Sequence, residues 1–280
     1  MKHLIFSLLS LCALSIAAEP DPNFHIYLCI GQSNMNGSAP IEEQDKTGVD
    51  RFVAMATTDF AEQQRDQGEW YTAVPPLSQP GQELSPADYF GRTMAASLPD
   101  SIKVGAIVVA ISGSDIRLFD HELYLDYIKA FDGAKWYARQ VGAYGDDPYG
   151  RLIHLARQAQ RQGVIKGILL HQGETNEHDT QWPSYVAKVY SHILSDLNLS
   201  AAETPLIAGE VAHMSEEGKC ASMNEIIATL PAQIPTAHVV SSKDCTTMPD
   251  HVHFNSAGVR KLGRRYAETM IKARQAIDNP

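Results

Sequence analysis

A serine near the start of the sequence and an aspartate and a histidine near its end have the side chains of a nucleophilic catalytic triad. Ser33 lies in the turn sequence GQSNM at residues 31–35, directly after an apolar run. A serine on such a turn, with the start of a helix behind it, can attack a carbonyl carbon when a base takes its proton. Asp250 and His253 are three residues apart, a spacing that allows a carboxylate to fix the tautomer of an imidazole base. These residue types predict a serine nucleophile, a histidine base and an aspartate that orients the base.

Polar residues also follow two other apolar runs. The sequence SGSD at residues 112–115 follows one run, and its Gly113 would let backbone N–H groups approach a substrate closely. The sequence HQGETN at residues 171–176 follows the next run and places polar side chains directly behind a fully apolar segment. The motif G-x-S-x-G is absent around Ser33, because Met35 occupies the position of its second glycine. An ordinary α/β-hydrolase is therefore disfavoured.

The elements that must position these residues are predicted from five short apolar runs rich in Val and Ile. The runs cover residues 24–30, 104–111, 164–170, 206–211 and 237–241. Because they lack polar alternation and alternate with helical patterns, they predict buried strands of a parallel sheet that is covered on both faces. The predicted fold is α/β, a three-layer α/β/α sandwich with a central, mostly parallel five-stranded sheet. Ligands of such sheets bind beyond the carboxyl ends of the strands, where the candidate residues lie.

Helix signals occupy the intervals between the runs, with one exception. Ser-Pro at residues 85–86 and Asp-Pro at residues 147–148 begin two helices, and another begins after Asn255. Residues 36–84 lack this periodicity and contain one short strand candidate at residues 51–56, so we expect an insertion that lies over the edge of the sheet. Trp70 and Tyr71 of this insertion are expected to form aromatic walls beside the nucleophile and to leave a shallow acyl pocket.

Composition and charge limit the class of protein and its partners. The chain has 280 residues, of which 44% are hydrophobic and 20% charged, values typical of a globular protein. The formal net charge is -10 and the sequence has no run of Lys or Arg, so a nucleic-acid partner is disfavoured. After the apolar run at residues 4–14, no segment approaches eighteen consecutive apolar residues. The sequence therefore predicts no membrane span.

The first 18 residues read as a secretory signal peptide. They have a basic start, an apolar run over residues 4–14 and small residues before position 19. Residues 19–280 are then a single exported domain, secreted or periplasmic. Removal of this peptide would remove Cys12 and leave three cysteines, Cys29, Cys220 and Cys245. In an oxidising compartment, a bridge between Cys220 and Cys245 with Cys29 buried as a small hydrophobe is the expected partition.

Four motifs occur in this order: GQSNM at residues 31–35, SGSD at 112–115, HQGETN at 171–176, and the pair Asp250 and His253. Together they resemble the motifs of the SGNH/GDSL-type hydrolases, which have a flavodoxin-like fold. More narrowly, they resemble the sialate O-acetylesterase domain and carbohydrate esterase family six, which includes acetyl xylan esterases. The resemblance covers nearly the whole chain after the signal peptide. Two positions depart from the family pattern: Ser112 occupies a position that is usually glycine, and Leu170 one that is often tryptophan.

The resemblance implies a function and a role for each matching residue. It makes Ser33 the nucleophile, and it makes His253 and Asp250 the base and its orienting partner. Its oxyanion hole would use the backbone N–H groups of Ser33 and Gly113 and the side-chain amide of Gln172. Gln32 and Glu174 would be supporting residues. The implied enzyme is a serine esterase that removes O-acetyl groups from carbohydrates, such as acetylated xylan, sialic acid or related glycans, through an acyl-enzyme and without a cofactor or metal.

Two alternatives remain open from the residues. A metal-dependent hydrolase could use His171, Glu174, His251 and His253, although neither H-E-x-x-H nor H-x-x-E-H occurs in the sequence. A catalytically silent carbohydrate-binding protein could share the same fold. The complete set of Ser, His and Asp argues against the second alternative, since binding alone needs no such set. A chelator would separate the metal-dependent hydrolase from the serine esterase.

Overall fold

A computed structural model of the chain describes residues 19–130 and 135–279, and its central feature is a seven-stranded sheet. The strands are β1 (Phe24–Gly31), β2 (Phe52–Met55), β3 (Trp70–Thr72), β4 (Lys103–Ala110), β5 (Val164–His171), β6 (Leu206–Gly209) and β7 (Ala237–Val240). Their order is β3-β2-β4-β1-β5-β6-β7. All neighbours are parallel except β3, which is antiparallel to β2. The signal peptide predicted for residues 1–18 lies outside the described residues.

Nine helices are found in the described residues. They are α1 (Ser33–Asn36), α2 (Pro86–Ser97), α3 (Tyr124–Ala130), α4 (Lys135–Ala143), α5 (Pro148–Ala159), α6 (Trp182–Asp196), α7 (Met223–Ile227), α8 (Leu230–Gln233) and α9 (Ser256–Asp278). The predicted starts of α2, α5 and α9 are confirmed. The Asp147 carboxylate caps α5 by accepting a hydrogen bond from the N–H of Gly150, which satisfies one of the unpaired donors at the helix start. None of these helices is long and apolar enough to cross a membrane.

Two separate apolar cores cover the two faces of the sheet, and this confirms the three-layer sandwich. Along β1, Leu28 belongs to one core and Cys29 to the other, as the alternation of side chains along a strand requires. The core that contains Leu28 includes α5 and α6, and the core that contains Cys29 includes α2 and α9. Helices on both faces explain why β1 and β4 have apolar side chains on both sides.

The carboxyl ends of the three central strands lie side by side. In the register of the sheet, Gly31 at the end of β1 pairs with Ala110 of β4 on one side and with His171 of β5 on the other. The segments that follow these strands therefore begin at one edge of the sheet. This is the edge at which the sequence places the candidate site.

The sheet has two strands more than the five predicted. Both come from residues 36–84, which extend one edge of the sheet instead of lying over it. The strand candidate at residues 51–56 is confirmed as β2. The antiparallel edge strand β3 has only three residues, too few for a periodic pattern to identify it from the sequence.

The expected position of Trp70 and Tyr71 beside the nucleophile is wrong. The ring of Trp70 packs edge-on against Phe24, with ring centroids 4.9 Å apart. Phe24 begins β1, whereas Ser33 follows the end of that strand, so the Trp70 ring packs away from Ser33. Tyr71 packs against the guanidinium of Arg65, 4.0 Å from its ring centroid. The aromatic walls predicted for the acyl pocket therefore come from neither residue.

The predicted bridge between Cys220 and Cys245 is also wrong. Both cysteines are free, as is the buried Cys29. Cys220 packs against the core that contains α5 and α6, whereas Cys245 is buried in the core that contains α2 and α9. Because the two cores lie on opposite faces of the sheet, the side chains have no common space in which to form a bridge.

Candidate active site

Ser33, His253 and Asp250 come together at the carboxyl edge of the sheet in one hydrogen-bonded chain. Ser33 begins α1 directly after β1, and the other two residues lie in the loop between β7 and α9. The Oγ atom of Ser33 is 2.9 Å from Nε2 of His253. The Nδ1 atom of His253 is 2.6 Å from Oδ2 of Asp250. The structure therefore brings together the three residues predicted from their types and spacing, in the geometry that triad chemistry needs.

The turn that contains Asp250 holds its carboxylate as a charged acceptor. Its Oδ1 accepts hydrogen bonds from the backbone N–H groups of Val252, at 2.9 Å, and His253, at 3.0 Å. Partial burial alone would raise the pKa of Asp250, but the hydrogen bonds from the His253 ring and from the two backbone groups lower it to about 2. The carboxylate thus favours the His253 tautomer with hydrogen on Nδ1, which leaves Nε2 free to take the serine proton.

Asn34 connects the helix of the nucleophile to the segment that carries His253. Its Nδ2 donates to the carbonyl oxygen of Val252 at 3.3 Å, and its Oδ1 accepts from the N–H of Phe254 at 3.1 Å. The backbone is therefore bonded on both sides of His253. Nδ2 of Asn34 also donates to Oε1 of Glu174 at 2.7 Å. The Glu174 side chain is only 4% exposed, and desolvation raises its pKa. Its contacts are those of a residue that positions Asn34.

His171 and His251 bond to parts of the protein outside this hydrogen-bonded chain. The fully buried ring of His171 has its Nδ1 atom 3.1 Å from the hydroxyl of Tyr266. Burial lowers the pKa of His171 to about 3, so its ring is neutral. The Nδ1 atom of His251 is 3.2 Å from the carbonyl oxygen of Glu216. The hydrogen-bond partners of these two rings do not include His253 or its partners Ser33 and Asp250.

The residues proposed for a metal-dependent mechanism are not assembled as a ligand set. Among the described residues, the side chains whose ligand atoms converge in a group of three or more are His121, Glu122 and His192. These residues lie after β4 and on α6, and none of them belongs to the predicted cluster. Within that cluster, Nε2 of His171 lies 3.8 Å from Oε1 of Glu174, but no third ligand atom of the described residues joins this pair. The residues proposed as metal ligands thus form no group of three or more among the described residues.

The backbone N–H groups of Ser33 and of Gly113 have the properties of oxyanion donors. Ser33 is the first residue of α1, where helix geometry leaves the N–H without an intrahelical acceptor. Gly113 follows β4 in a turn with φ of 69°, a conformation that favours glycine. Its N–H has no acceptor among the described residues. Both groups are available to stabilise negative charge that develops on a substrate oxygen.

Gln140 of α4 fixes the turn that contains Gly113. Its Oε1 accepts from the backbone N–H of Ser112 and from Nδ2 of Asn36, both at 2.9 Å. The same Asn36 nitrogen lies 3.0 Å from Oγ of Ser112. The serine that departs from the family pattern is thus used to bond the turn to α1, the helix of the nucleophile. This network ties together the two segments that supply backbone donors.

The amide of Gln172 is bonded within the protein and is only 1% exposed. Its Oε1 accepts from Nε1 of Trp182. Its Nε2 is 3.1 Å from Oε1 of Gln32, 3.1 Å from the carbonyl oxygen of Ser114 and 2.7 Å from Oδ1 of Asn176. An amide nitrogen carries two hydrogens, so three acceptors leave none directed at a substrate. In the structure, the Gln172 amide therefore donates to protein acceptors, in contrast to the prediction that it donates to the oxyanion.

The sequence reasoning missed an aromatic residue beside the site, Trp136 of α4. Its ring covers the turn at Gly113, where an added Cβ atom would lie 2.9 Å from the ring. The residue is 51% exposed. Together with Arg139 and residues 79–82, it lines an open cleft of about 330 Å³. The cleft lies next to Gln140 and therefore beside the proposed oxyanion turn.

Several solved structures are similar to this fold. A protein of Arabidopsis thaliana matches with a TM-score of 0.67 and 19% identity, over 90% of this chain and 99% of its own. NanS matches with a TM-score of 0.67 and 16% identity, over 92% of this chain and 99% of its own. A carbohydrate acetylesterase from Xanthomonas citri matches with a TM-score of 0.63 and 17% identity, over 90% of this chain and 57% of its own. At these identities the likeness shows a shared fold.

A family model gives the more specific result. Residues 23–272 match the family described as carbohydrate esterase, sialic acid-specific acetylesterase. The matched range begins just before β1 and ends within α9, so it includes every candidate residue discussed above. The resemblance found from the four motifs is thereby confirmed. This chain belongs to that family of carbohydrate esterases.

Proposed function

We propose that this protein is a serine O-acetylesterase that removes acetyl groups from carbohydrates. The observation that carries the proposal is the hydrogen-bonded chain from Ser33 through His253 to Asp250. Membership of a carbohydrate esterase family supports ester hydrolysis on a sugar. Residues 19–280 act as one esterase domain, and the first 18 residues direct it to the periplasm or the exterior.

The reaction follows from the positions of these groups. His253 Nε2 takes the proton of Ser33 as Oγ attacks the acetyl carbon, and the charge on the carbonyl oxygen is bound by the N–H groups of Ser33 and Gly113. His253 then gives the proton to the sugar oxygen, and the sugar leaves as an alcohol. Water, deprotonated by His253, attacks the acetyl group on Ser33 and releases acetate. The chemistry needs no cofactor.

Acetate release from a panel of acetylated compounds tests this function. The panel contains acetylated xylan, O-acetylated sialic acid and p-nitrophenyl acetate, and the wild-type protein is compared with Ser33→Ala. We expect acetate release by the wild type from at least one glycan and none above background by the variant. Equal acetate release by the two proteins would contradict the proposal.

Trp136 provides a surface on which the sugar can stack. A half-exposed indole presents an apolar face to solvent, and the C–H face of a sugar ring is its natural complement. The ring lies over Gly113 at the edge of the cleft, beside the turn to which we assign an oxyanion donor. We therefore assign Trp136 a role in binding the sugar and none in the chemical steps.

Trp136→Ala should raise KM for an acetylated oligosaccharide by about 3- to 10-fold, the range expected from losing one aromatic contact. The value of kcat/KM for p-nitrophenyl acetate should stay within about 2-fold of wild type, since this small ester lacks the sugar. Initial rates on both substrates measure the two effects. Leu125→Ala removes a similarly exposed apolar side chain from α3 and serves as the control. Equal loss on both substrates would contradict a sugar-binding role.

Incubation with EDTA should leave the rate unchanged, because Ser33 and not a metal-bound hydroxide is the nucleophile in this proposal. The rate on p-nitrophenyl acetate is measured before and after chelation and dialysis. Loss of activity that is restored by adding Zn²⁺ would support the metal-dependent alternative. The variant His121→Ala, which disrupts the separate His121, Glu122 and His192 group, controls for metal effects away from the site.

A further inference from the structure

We propose that the side-chain amide of Gln32 is the third oxyanion donor, the role that the family resemblance implies for Gln172. The inference rests on the proposed serine esterase function and adds a catalytic residue to it. Gln32 directly precedes Ser33 and is 3% exposed.

The orientation of the Gln32 amide is fixed by groups that can only donate. Its Oε1 lies 3.3 Å from the backbone nitrogen of Gly173 and 3.3 Å from that of Thr175. It also lies 3.1 Å from Nε2 of Gln172. Because backbone N–H groups cannot accept a hydrogen bond, the atom that faces them must be the oxygen. The amide nitrogen of Gln32 therefore points away from this loop.

That nitrogen has no acceptor among the described residues, although Gln32 is almost fully buried. The nitrogen is not among the fully buried polar atoms that lack a partner, so it reaches the accessible surface, where it is free to donate to a substrate oxygen. The two amides differ in this respect. Gln172 has three acceptors for its two hydrogens, whereas Gln32 has two hydrogens and no protein acceptor.

The Gln32 amide is also connected to the segment that follows β4. It belongs to the turn before Ser33, and its oxygen meets Nε2 of Gln172, which in turn bonds the carbonyl oxygen of Ser114. Ser114 is the neighbour of Gly113. Gln172 thus links the Gln32 head group, next to Ser33, to the segment that contains Gly113.

The chemistry of the step matches such a donor. When Oγ of Ser33 attacks, the electron pair of the carbonyl bond moves to oxygen, which becomes an anion that needs preorganised N–H groups. Gln32 Nε2 supplies one N–H without giving up an existing protein hydrogen bond. Gln172 positions it, because its own Nε2 donates to the Gln32 oxygen and its oxygen is held by Trp182.

The test uses Gln32→Glu in the full chain. The glutamate keeps an oxygen for the N–H groups of Gly173 and Thr175 but replaces the donor with an acceptor. We expect kcat for p-nitrophenyl acetate to fall by about 10²–10³-fold, as for loss of an oxyanion donor, with KM within about 3-fold of wild type. The maximal rates of the two pH profiles are compared, so that a shift of the profile is not read as a loss of kcat. Gln162→Glu, at an exposed position after α5, is the control for the substitution itself.

Inhibition by methylboronic acid provides the second readout. The boronate forms a tetrahedral adduct with the serine, so its inhibition constant should rise in Gln32→Glu by about the same factor as kcat falls. Retention of more than a tenth of wild-type kcat, or an unchanged boronate constant, would overturn the role of Gln32. Failure of the esterase function itself looks different, because the wild type would then neither hydrolyse esters nor bind the boronate.

Discussion

Replacing Ser33 with alanine should lower kcat for acetyl ester hydrolysis by at least about 10³-fold, the scale expected when a triad nucleophile is removed. The Ser33 hydroxyl has one side-chain partner, His253 at 2.9 Å. Its loss should therefore change the melting temperature by no more than about 2 °C, since little packing is removed. Initial rates on p-nitrophenyl acetate and a thermal melt measure the two effects.

A matched control separates catalysis from folding. Ser101→Ala changes an exposed serine before β4 and should leave the rate and the melting temperature unchanged. If Ser33→Ala kept more than a few per cent of wild-type kcat while it remained folded, the nucleophile would be another residue.

Asp250→Asn should lower kcat by between about 10² and 10⁴-fold, because the new amide imposes the wrong tautomer on His253. The Asn oxygen can still accept from the N–H groups of Val252 and His253, so its NH₂ group faces Nδ1 of the imidazole. The ring must then carry its hydrogen on Nε2 and cannot take the serine proton. The Asp250 side chain is 43% exposed, so water can relieve part of this effect.

The control for this variant is Asp244→Asn, an exposed residue in the same loop, which should behave as wild type. Because the pKa of Asp250 is about 2, acidification to about pH 4 leaves its carboxylate charged. A loss of rate over that range therefore comes from another group. Wild-type kcat values in Asp250→Asn would show that the carboxylate does not orient His253.

The central sheet and the three triad positions could be predicted because a general rule connects them. Apolar runs without alternation predict parallel strands, and the segments after parallel strands meet at one edge. Ser33 and the 112–115 turn follow two such strands directly. His253 lies before the last helix, and its spacing from Asp250 indicates its partner. The pattern of apolar residues along the sequence predicts where the strands lie, and the parallel topology then places the segments that follow them.

The features that could not be predicted depend on contacts between distant residues. The orientation of the Gln172 amide is set by Trp182 and Asn176, and no local pattern distinguishes its oxygen from its nitrogen. Trp136 was missed because α4 was not recognised, although its buried residues Tyr137 and Val141 have helical spacing. Similarly, the sequence does not show on which face of the sheet each cysteine lies.

Active-site labelling with a fluorophosphonate is the most direct test of the central claim, that Ser33 is the nucleophile of this esterase. A fluorophosphonate reacts with an activated serine to form a stable adduct. We predict one adduct per chain, located on the peptide that contains Ser33 by mass spectrometry, with activity lost in proportion to labelling and no adduct in Ser33→Ala. An adduct on a different residue, or full activity in a fully labelled protein, would contradict the claim.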